Sequence, residues 1–463
     1  MAVEQLYTSC LSEAAYFIFS EGEAAVVDPL RDYHQYIALA EEKGVKIKYI
    51  FETHFHADFV SGHIDLASKT GAQIVYGPET TTNYPVYIAG EKERFKIGNL
   101  QLEVLHTPGH TPESTCYLLY DEHGKQYCLF TGDTLFVGDV GRPDLFGAAI
   151  SKEDMADRMY DSLQKLKQLP DEVIVYPAHG PGSACGKSLG KETWSTMGIQ
   201  KKTNYALQEV PKNDFIKNIT SGLSTPPSYF AQNASINKEG YKPLDEVMHK
   251  SLRAVPVDEF ELEIKKGTIV LDTRNEEDFE KGFVPGSVFI GLNGRFAEWV
   301  GTILNIDDQI LLVTAPGKEQ EAVIRMARVG YENVTGYLEG GFEAWRNSGK
   351  LYDMVISIDA EELKLDYEFD NIKIVDVRKE SEYESGHVEG AINVVLQNLD
   401  RDINRIPDKD AHLYIHCQGG FRSMVASSLL KRKGYQNLKN IYGGWVSISK
   451  TNIPVELPKF SES

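Results

Sequence analysis

Cysteine is scarce in this chain. Its five cysteines, Cys10, Cys116, Cys128, Cys185 and Cys417, form no paired framework across 463 residues, which excludes a disulfide-held secreted scaffold and fits a reducing compartment. Positive charge is also short: 48 Lys and Arg face 68 Asp and Glu, leaving a formal net charge of −20. With no basic cluster, that balance argues against nucleic acid or an anionic membrane as a partner. No apolar run approaches the ~20 residues that span a bilayer, and the opening Met-Ala-Val-Glu-Gln-Leu-Tyr lacks the basic-then-apolar order of a secretory signal. A cytoplasmic location is the expectation. The remaining composition, 42% hydrophobic and 25% charged, is that of ordinary globular protein, and the length calls for about three domains.

Histidine is where the pattern concentrates. Residues 45–51 read as a buried strand. They lead into Glu52-Thr53-His54-Phe55-His56-Ala57-Asp58-Phe59, so His54, His56 and Asp58 stand on a strand-end loop, free to converge. Imidazole nitrogen and carboxylate oxygen suit zinc, iron or manganese, and no thiolate lies nearby in sequence to suggest a structural zinc knot. Two histidines on one loop would fit a chance surface placement equally well. Three further loops tip that balance. His106-Thr107-Pro108-Gly109-His110 is a tight turn bracketed by histidines, Thr131-Gly132-Asp133 follows the apolar residues 127–130, and Tyr176-Pro177-Ala178-His179-Gly180 closes another strand. Four strand-end loops, each delivering a nitrogen or oxygen donor, are what a metal cleft at the edge of a sheet sandwich requires.

In this order and spacing the loops resemble the metallo-β-lactamase superfamily, over about the first half of the chain. The resemblance implies two stacked sheets with helices outside and metal at the sheet edge. The usual loop in that superfamily is His-x-His-x-Asp-His, but here its last position is Phe59. A phenyl ring binds no metal, so the second position of dinuclear relatives lacks a ligand and a mononuclear site is expected.

Residues 192–250 change character, to polar helices and a segment containing Ser224-Thr225-Pro226-Pro227-Ser228, where paired prolines stop a helix. This stretch reads as the end of a first domain, residues 1–250, with a linker over its surface. Beyond it the chain repeats itself. Ile269-Val270-Leu271-Asp272-Thr273-Arg274 matches Ile374-Val375-Asp376-Val377-Arg378 in the register that sets Arg274 opposite Arg378, and Gly340-Gly341-Phe342 returns as Gly443-Gly444-Trp445. Two copies of a unit of about 100 residues, mixing short strands and helices, indicate two α/β domains, residues 251–352 and 353–463. Both resemble the rhodanese fold.

In the second copy, the strand at residues 412–416 runs into Cys417-Gln418-Gly419-Gly420-Phe421-Arg422-Ser423 ahead of a helix. Backbone N–H groups and the helix dipole there favour a thiolate, and Arg422 is placed to hold an incoming anion. The loop resembles that of active rhodaneses, whose cysteine carries sulfane sulfur as a persulfide. The first copy has Thr314-Ala315-Pro316-Gly317 at the equivalent strand end, with no cysteine, and is expected to be catalytically silent. Asp376, Arg378 and His387 read as architecture.

The whole arrangement resembles the persulfide dioxygenase family fused to rhodanese domains. The resemblance implies one Fe(II) per chain, held by His54, His110 and Asp133, with a low-molecular-weight thiol persulfide and O2 as substrates and sulfite as product. Sulfur transfer at Cys417 would then form or use thiosulfate. It leaves His56, Asp58 and His179 to orient ligands or substrate, and makes Arg142 a candidate to contact substrate or fix the cleft. Cys185, six residues after His179, is read as close to the cleft mouth, as a sulfur relay or a plain structural residue. A homo-oligomer is expected. The main rival is a dinuclear thiolester hydrolase of the glyoxalase II kind, which Phe59 and the sulfur carrier weigh against. A third reading, a sulfide-responsive scaffold protein, sits poorly with the complete ligand set.

Overall fold

The computed structural model describes residues 2–146, 150–370 and 372–457. Its first half is built on two six-stranded sheets. One is ordered β1 (Ala2–Thr8), β2 (Glu13–Ser20), β3 (Glu23–Val27), β4 (Lys46–Phe51), β5 (Gln73–Tyr76) and β6 (Tyr87–Ile88). The other contains β7 (Arg94–Ile97), β8 (Leu100–His106), β9 (Thr115–Tyr120), β10 (Gln126–Gly132), β11 (Ile174–Pro177) and β12 (Ser195–Thr196), adjacent in that order. Alternation along β2 shows why they stack. Tyr16 and Ile18 face a core shared with Phe51, Phe95, Tyr117 and Phe130, while Ala15 and Phe17 face a second core on the outer side. A sheet buried on both faces needs cover on both.

Helices supply that cover. α1 (His34–Lys43) and α2 (His63–Thr70) place Tyr36, Ala40 and Leu66 on the outside of the first sheet. α3 (Lys152–Leu166) lays Met159 and Leu163 against the second, and Ser151 caps its start by accepting from the Asp154 N–H at 3.0 Å, an interaction typically worth ~1 kcal/mol. The result is the α/β sandwich with outer helices that the resemblance implied. Residues 192–250, expected as polar helices that end the first domain with a linker over its surface, do form helices, but they pack into the fold instead of passing over it. They form β12, α4 (Met197–Thr203), α5 (Lys212–Thr220), α6 (Phe230–Glu239) and α7 (Leu244–Ser251), and they bury Phe215, Ile219, Asn237 and Leu244. Some of the buried side chains, Asn204, Asn233 and Asn237 among them, are amides, and a buried polar residue does not show in a hydrophobic pattern.

The chain divides into two compact units. The first runs to Met248 and takes in Val300–Thr302 and Ile324–Glu332; the second holds His249–Trp299, Ile303–Val323 and the chain from Asn333 on. The sheets of both copies of the repeat lie within the second. One copy has β13 (Ala254–Val255), β14 (Ile269–Asp272), β15 (Val288–Phe289), β16 (Ile310–Val313) and β17 (Val334–Leu338), in the parallel order 13-17-16-14-15. The other has β18 (Ile356–Ile358), β19 (Lys373–Asp376), β20 (His387–Val388), β21 (Ile392–Asn393), β22 (Leu413–His416) and β23 (Leu438–Ile441). Its main sheet has the parallel order 18-23-22-19-21.

The same lock closes both copies. Arg274 Nη2 donates to Asp272 Oδ2 at 2.6 Å and to the Gly282 carbonyl at 2.8 Å, and its guanidinium lies 4.5 Å over Phe342. Arg378 repeats this with Asp376, Gly386 and Trp445 at 2.6, 2.8 and 4.6 Å. The Asp-x-Arg motif is therefore structural, and breaking a buried pair by removing one partner costs ~3–5 kcal/mol. Arg378→Met is expected to lower the urea midpoint of the second unit by a free energy in that range. An unchanged midpoint would show that Asp376 needs no partner.

Candidate metal centre

Each donor loop leaves a strand end at the same edge of the sandwich. Gly132 ends β10 at φ +50°, and a Cβ there would stand 2.5 Å from Thr53 Oγ1, so only glycine can turn Asp133 inward at this point. His54, His110 and Asp133 converge, with His54 Nε2 3.8 Å and His110 Nε2 3.4 Å from Asp133 Oδ2. Donors ~2.1 Å from one ion stand roughly 3 to 3.5 Å apart, so a small closing movement seats a metal. All three residues are buried, and His54 Nε2 and both Asp133 oxygens make no hydrogen bond among the described residues. Buried polar atoms left in this state signal a cation.

Hydrogen bonds set the tautomers. Asp28 accepts from the Thr53 N–H and from Thr53 Oγ1, both at 2.8 Å. With its hydrogen committed, Thr53 Oγ1 accepts from His54 Nδ1 at 2.9 Å, which leaves the His54 Nε2 lone pair facing the site. His110 Nδ1 donates to the Arg142 carbonyl at 2.8 Å with the same effect. Burial, reinforced by the neighbouring His56, His110 and His179, holds His54 well below the usual imidazole range, so it stays neutral and ready to bind metal.

The structure places the other predicted residues in distinct surroundings. His56 sets its Nε2 3.1 Å from Asp28 Oδ1 and 3.6 Å from Glu52 Oε2, its Nδ1 is buried without a hydrogen bond among the described residues, and its ring lies 4.3 Å from those of His54 and Phe59. Asp58, His179 and Cys185 form a second buried group beside the first. Burial, and then the Asp58 and Asp133 charges, push the Cys185 thiol well above its ordinary value. Cys185 is 1% exposed, so it sits inside the site and not at its mouth. Arg142 acts through its backbone, because its side chain is spent on Asp144 at 2.7 and 2.9 Å and on the Ala184 and Ser224 carbonyls.

Sequence reasoning missed three positioning residues: Asp28, Thr53 and Asn237. Asn237, on α6, donates to the His56 and Phe59 carbonyls at 2.8 and 2.7 Å and accepts from the Ser61 N–H at 2.9 Å. It thereby clamps the whole donor loop. Asp28 did carry a signal, an acidic residue ending the apolar run of β3.

In the second unit Cys417 follows β22. The Gly420 N–H donates to its sulfur at 3.1 Å, and the helix Phe421–Arg432 begins beside it. Arg422 is not a free anion hook, since it grips Glu382 through two bonds of 2.7 and 2.8 Å. Cys417 lies on a cleft of about 630 Å³ that Trp299, Arg295 and Glu276 of the first copy help to line. The first copy's own strand end, Thr314-Ala315-Pro316, lines a cleft of about 220 Å³ without a thiol.

Comparison with known proteins agrees with this division. Residues 9–179 match the metallo-beta-lactamase superfamily, and residues 256–348 and 359–451 each match the rhodanese-like domain. Among curated proteins, a probable hydroxyacylglutathione hydrolase of Schizosaccharomyces pombe is 35% identical over 34% of this chain and 58% of its own length. The hydroxyacylglutathione hydrolase of Tolumonas auensis is 37% identical over 34% and 57%. The chain thus spans less than two thirds of these relatives. Among solved structures, a metallo-beta-lactamase from Staphylococcus aureus is 36% identical over 73% of this chain and 99% of its own, with a TM-score of 0.65. ETHE1 from Myxococcus xanthus is 28% identical over 51% and 98%, with a TM-score of 0.44.

Thr53→Val keeps the shape of the side chain and removes the acceptor that orients His54. Outer hydrogen bonds of this kind are worth roughly 10- to 100-fold in metal affinity, and a competition titration with a chelator should show a loss of that size. Unaltered affinity would mean that packing alone orients the imidazole.

Proposed function

From a chain that belongs to the metallo-β-lactamase superfamily and carries two rhodanese-like domains behind that fold, we propose an Fe(II)-dependent persulfide dioxygenase joined to a sulfurtransferase. The observation that supports the reading is the convergence of two imidazoles and one carboxylate, His54, His110 and Asp133, on one buried point, in a chain that also carries the Cys417 loop. Such a triad suits non-haem Fe(II) and leaves open positions. The chemistry of the orphaned donors fits that ion.

His54, His110 and Asp133 would hold the iron, which when bound supplies a place where persulfide sulfur and O2 meet. The net conversion is R–S–SH + O2 + H2O to R–SH and sulfite with two protons. The sulfane sulfur is oxidised, O2 is reduced, and the parent thiol leaves with a proton. Phe59 and Asn237 fix the loop that presents His54, and Arg142 fixes His110 through its carbonyl. At Cys417, the Gly420 N–H stabilises negative charge on sulfur. Thiosulfate and the Cys417 thiolate exchange with sulfite and the Cys417 persulfide: one S–S bond breaks as another forms, without net oxidation. The first rhodanese-like copy, lacking a thiol, is silent in this scheme.

The curated relatives favour a second reading, hydrolysis of a glutathione thiolester. It shares the fold and most of the ligand set, but leaves Cys417 without a task.

The test is an oxygen electrode trace on glutathione persulfide with anaerobically purified protein, beside an assay of thiolester cleavage. We expect about one iron per chain and O2 uptake, at least ~100-fold lower in His110→Ala. Cys417→Ser should retain O2 uptake and lose thiosulfate:thiol sulfur transfer. Thiolester cleavage without O2 uptake would transfer the case to the hydrolase, and equal loss of both activities in Cys417→Ser would remove the idea of independent sites.

A further inference from the structure

The loop that carries His54, His56 and Asp58 runs on through Phe59, Val60 and Ser61 into α2, and every residue from Glu52 to His63 is buried. Buried backbone N–H groups need partners. Asn237 takes the Ser61 N–H, and the Pro29 carbonyl takes that of Gly62 at 2.7 Å. The Val60 N–H donates to the Arg328 carbonyl, also at 2.7 Å.

Arg328 belongs to Ile324–Glu332, the stretch of the thiol-free copy that lies in the first unit. The helix Glu319–Ala327 is closed there by Gly330 at φ +81°. The Tyr331 N–H reaches the Met326 carbonyl and the Gly330 N–H the Ala327 carbonyl, both at 3.1 Å. Such a closure leaves the last carbonyls of a helix without partners in their own turn, and the Val60 N–H meets the one on Arg328. The side chain fixes where that carbonyl points. Arg328 Nε and Nη2 donate to Asp32 Oδ1 and Oδ2 at 2.9 and 3.0 Å, a mostly buried two-pronged pair, and Ala327 beside it lies in the outer core with Tyr33 and Tyr36. Asp32 in turn follows closely on Asp28, whose carboxylate accepts from Thr53 and so sets His54. One residue therefore grips both stretches that orient the donors: by its side chain the one that carries Asp28, and by its carbonyl the one that carries His54.

We propose that Arg328 is a positioning residue of the metal centre, so that the thiol-free copy supplies part of the first unit's site without chemistry of its own. With the pair to Asp32 intact, the loop is ordered before an ion arrives. Without the pair, the Arg328 carbonyl drifts from the Val60 N–H, and ordering of the loop is left to the metal, which lowers affinity. This role rests on the proposed metal centre and holds for a dioxygenase and a hydrolase alike.

The test reads metal and spectrum, not turnover. Full-length protein is stripped of metal and titrated anaerobically with Co2+ against a chelator, and the visible d–d bands of the bound ion are recorded; the bands lost in His110→Ala belong to the triad. Arg328→Ala is expected to weaken Co2+ binding there by ~10-fold or more and to shift those bands, because a looser His54 alters the ligand field. Arg328→Lys, which keeps a charged bond to Asp32, should recover most of the affinity and the parent bands. Glu332→Gln removes another ion pair of the same stretch, to Arg31 at 3.0 Å, and should leave affinity and bands as they are. If Arg328→Ala does not fold, Asp32→Asn weakens the same pair from its other side and carries the same expectation. Unchanged affinity and bands in Arg328→Ala, or equal changes in Glu332→Gln, would overturn the role. The expected shifts without O2 uptake on persulfide by the iron-loaded parent would remove the dioxygenase and leave Arg328 in place; O2 uptake by the parent with unshifted bands in Arg328→Ala would do the reverse.

Discussion

A carboxylate stripped of water with neither oxygen hydrogen-bonded costs several kcal/mol unless positive charge sits beside it. Asp133 is in that position, fully buried at the end of β10. Everything nearby is arranged to meet the demand. Gly132 provides the turn that brings Asp133 in, Gly141 lets the next loop pass where a Cβ would strike the Asp133 carbonyl at 2.1 Å, and the imidazoles of His54 and His110 are locked with lone pairs toward it. The fold holds an unfavourable arrangement that a bound cation would relieve.

The second unit solves a different problem with the same economy. Its two parallel sheets are each closed by an arginine paired to an aspartate two residues before it and stacked on the aromatic residue of a Gly-Gly-aromatic turn. Such a lock is indifferent to chemistry, so the copy without a cysteine closes in the same way as the copy that has one. It also kept a use, because Trp299 and Arg295 of the thiol-free copy line the cleft on which Cys417 lies.

Much of the site is legible in the sequence. His54, His110, Asp133 and His179 are metal-donor residue types standing just past apolar strands, and a strand end is where a side chain escapes the sheet. Cys417 was legible for the same reason. The residues that were not legible are of ordinary type. Thr53 matters because its one hydroxyl hydrogen is committed to Asp28, Asn237 because three backbone groups of a distant loop happen to need an amide, and Glu382 because it claims Arg422. No pattern within a short window carries such information, since the partners lie 25 to 181 residues apart.

The repeat, the donor types and the missing thiol of the first copy were written in the chain itself, because each follows from local pattern or from the chemistry of a single side chain. Which donors share a centre was not. His56 and His54 are two residues apart with the same chemistry, yet one faces Asp133 and the other Asp28. Cys185, by contrast, reaches Asp58 from a loop well over a hundred residues on. Only the packed sandwich decides that, because buried donors take the direction their neighbours' hydrogen bonds and van der Waals surfaces leave open.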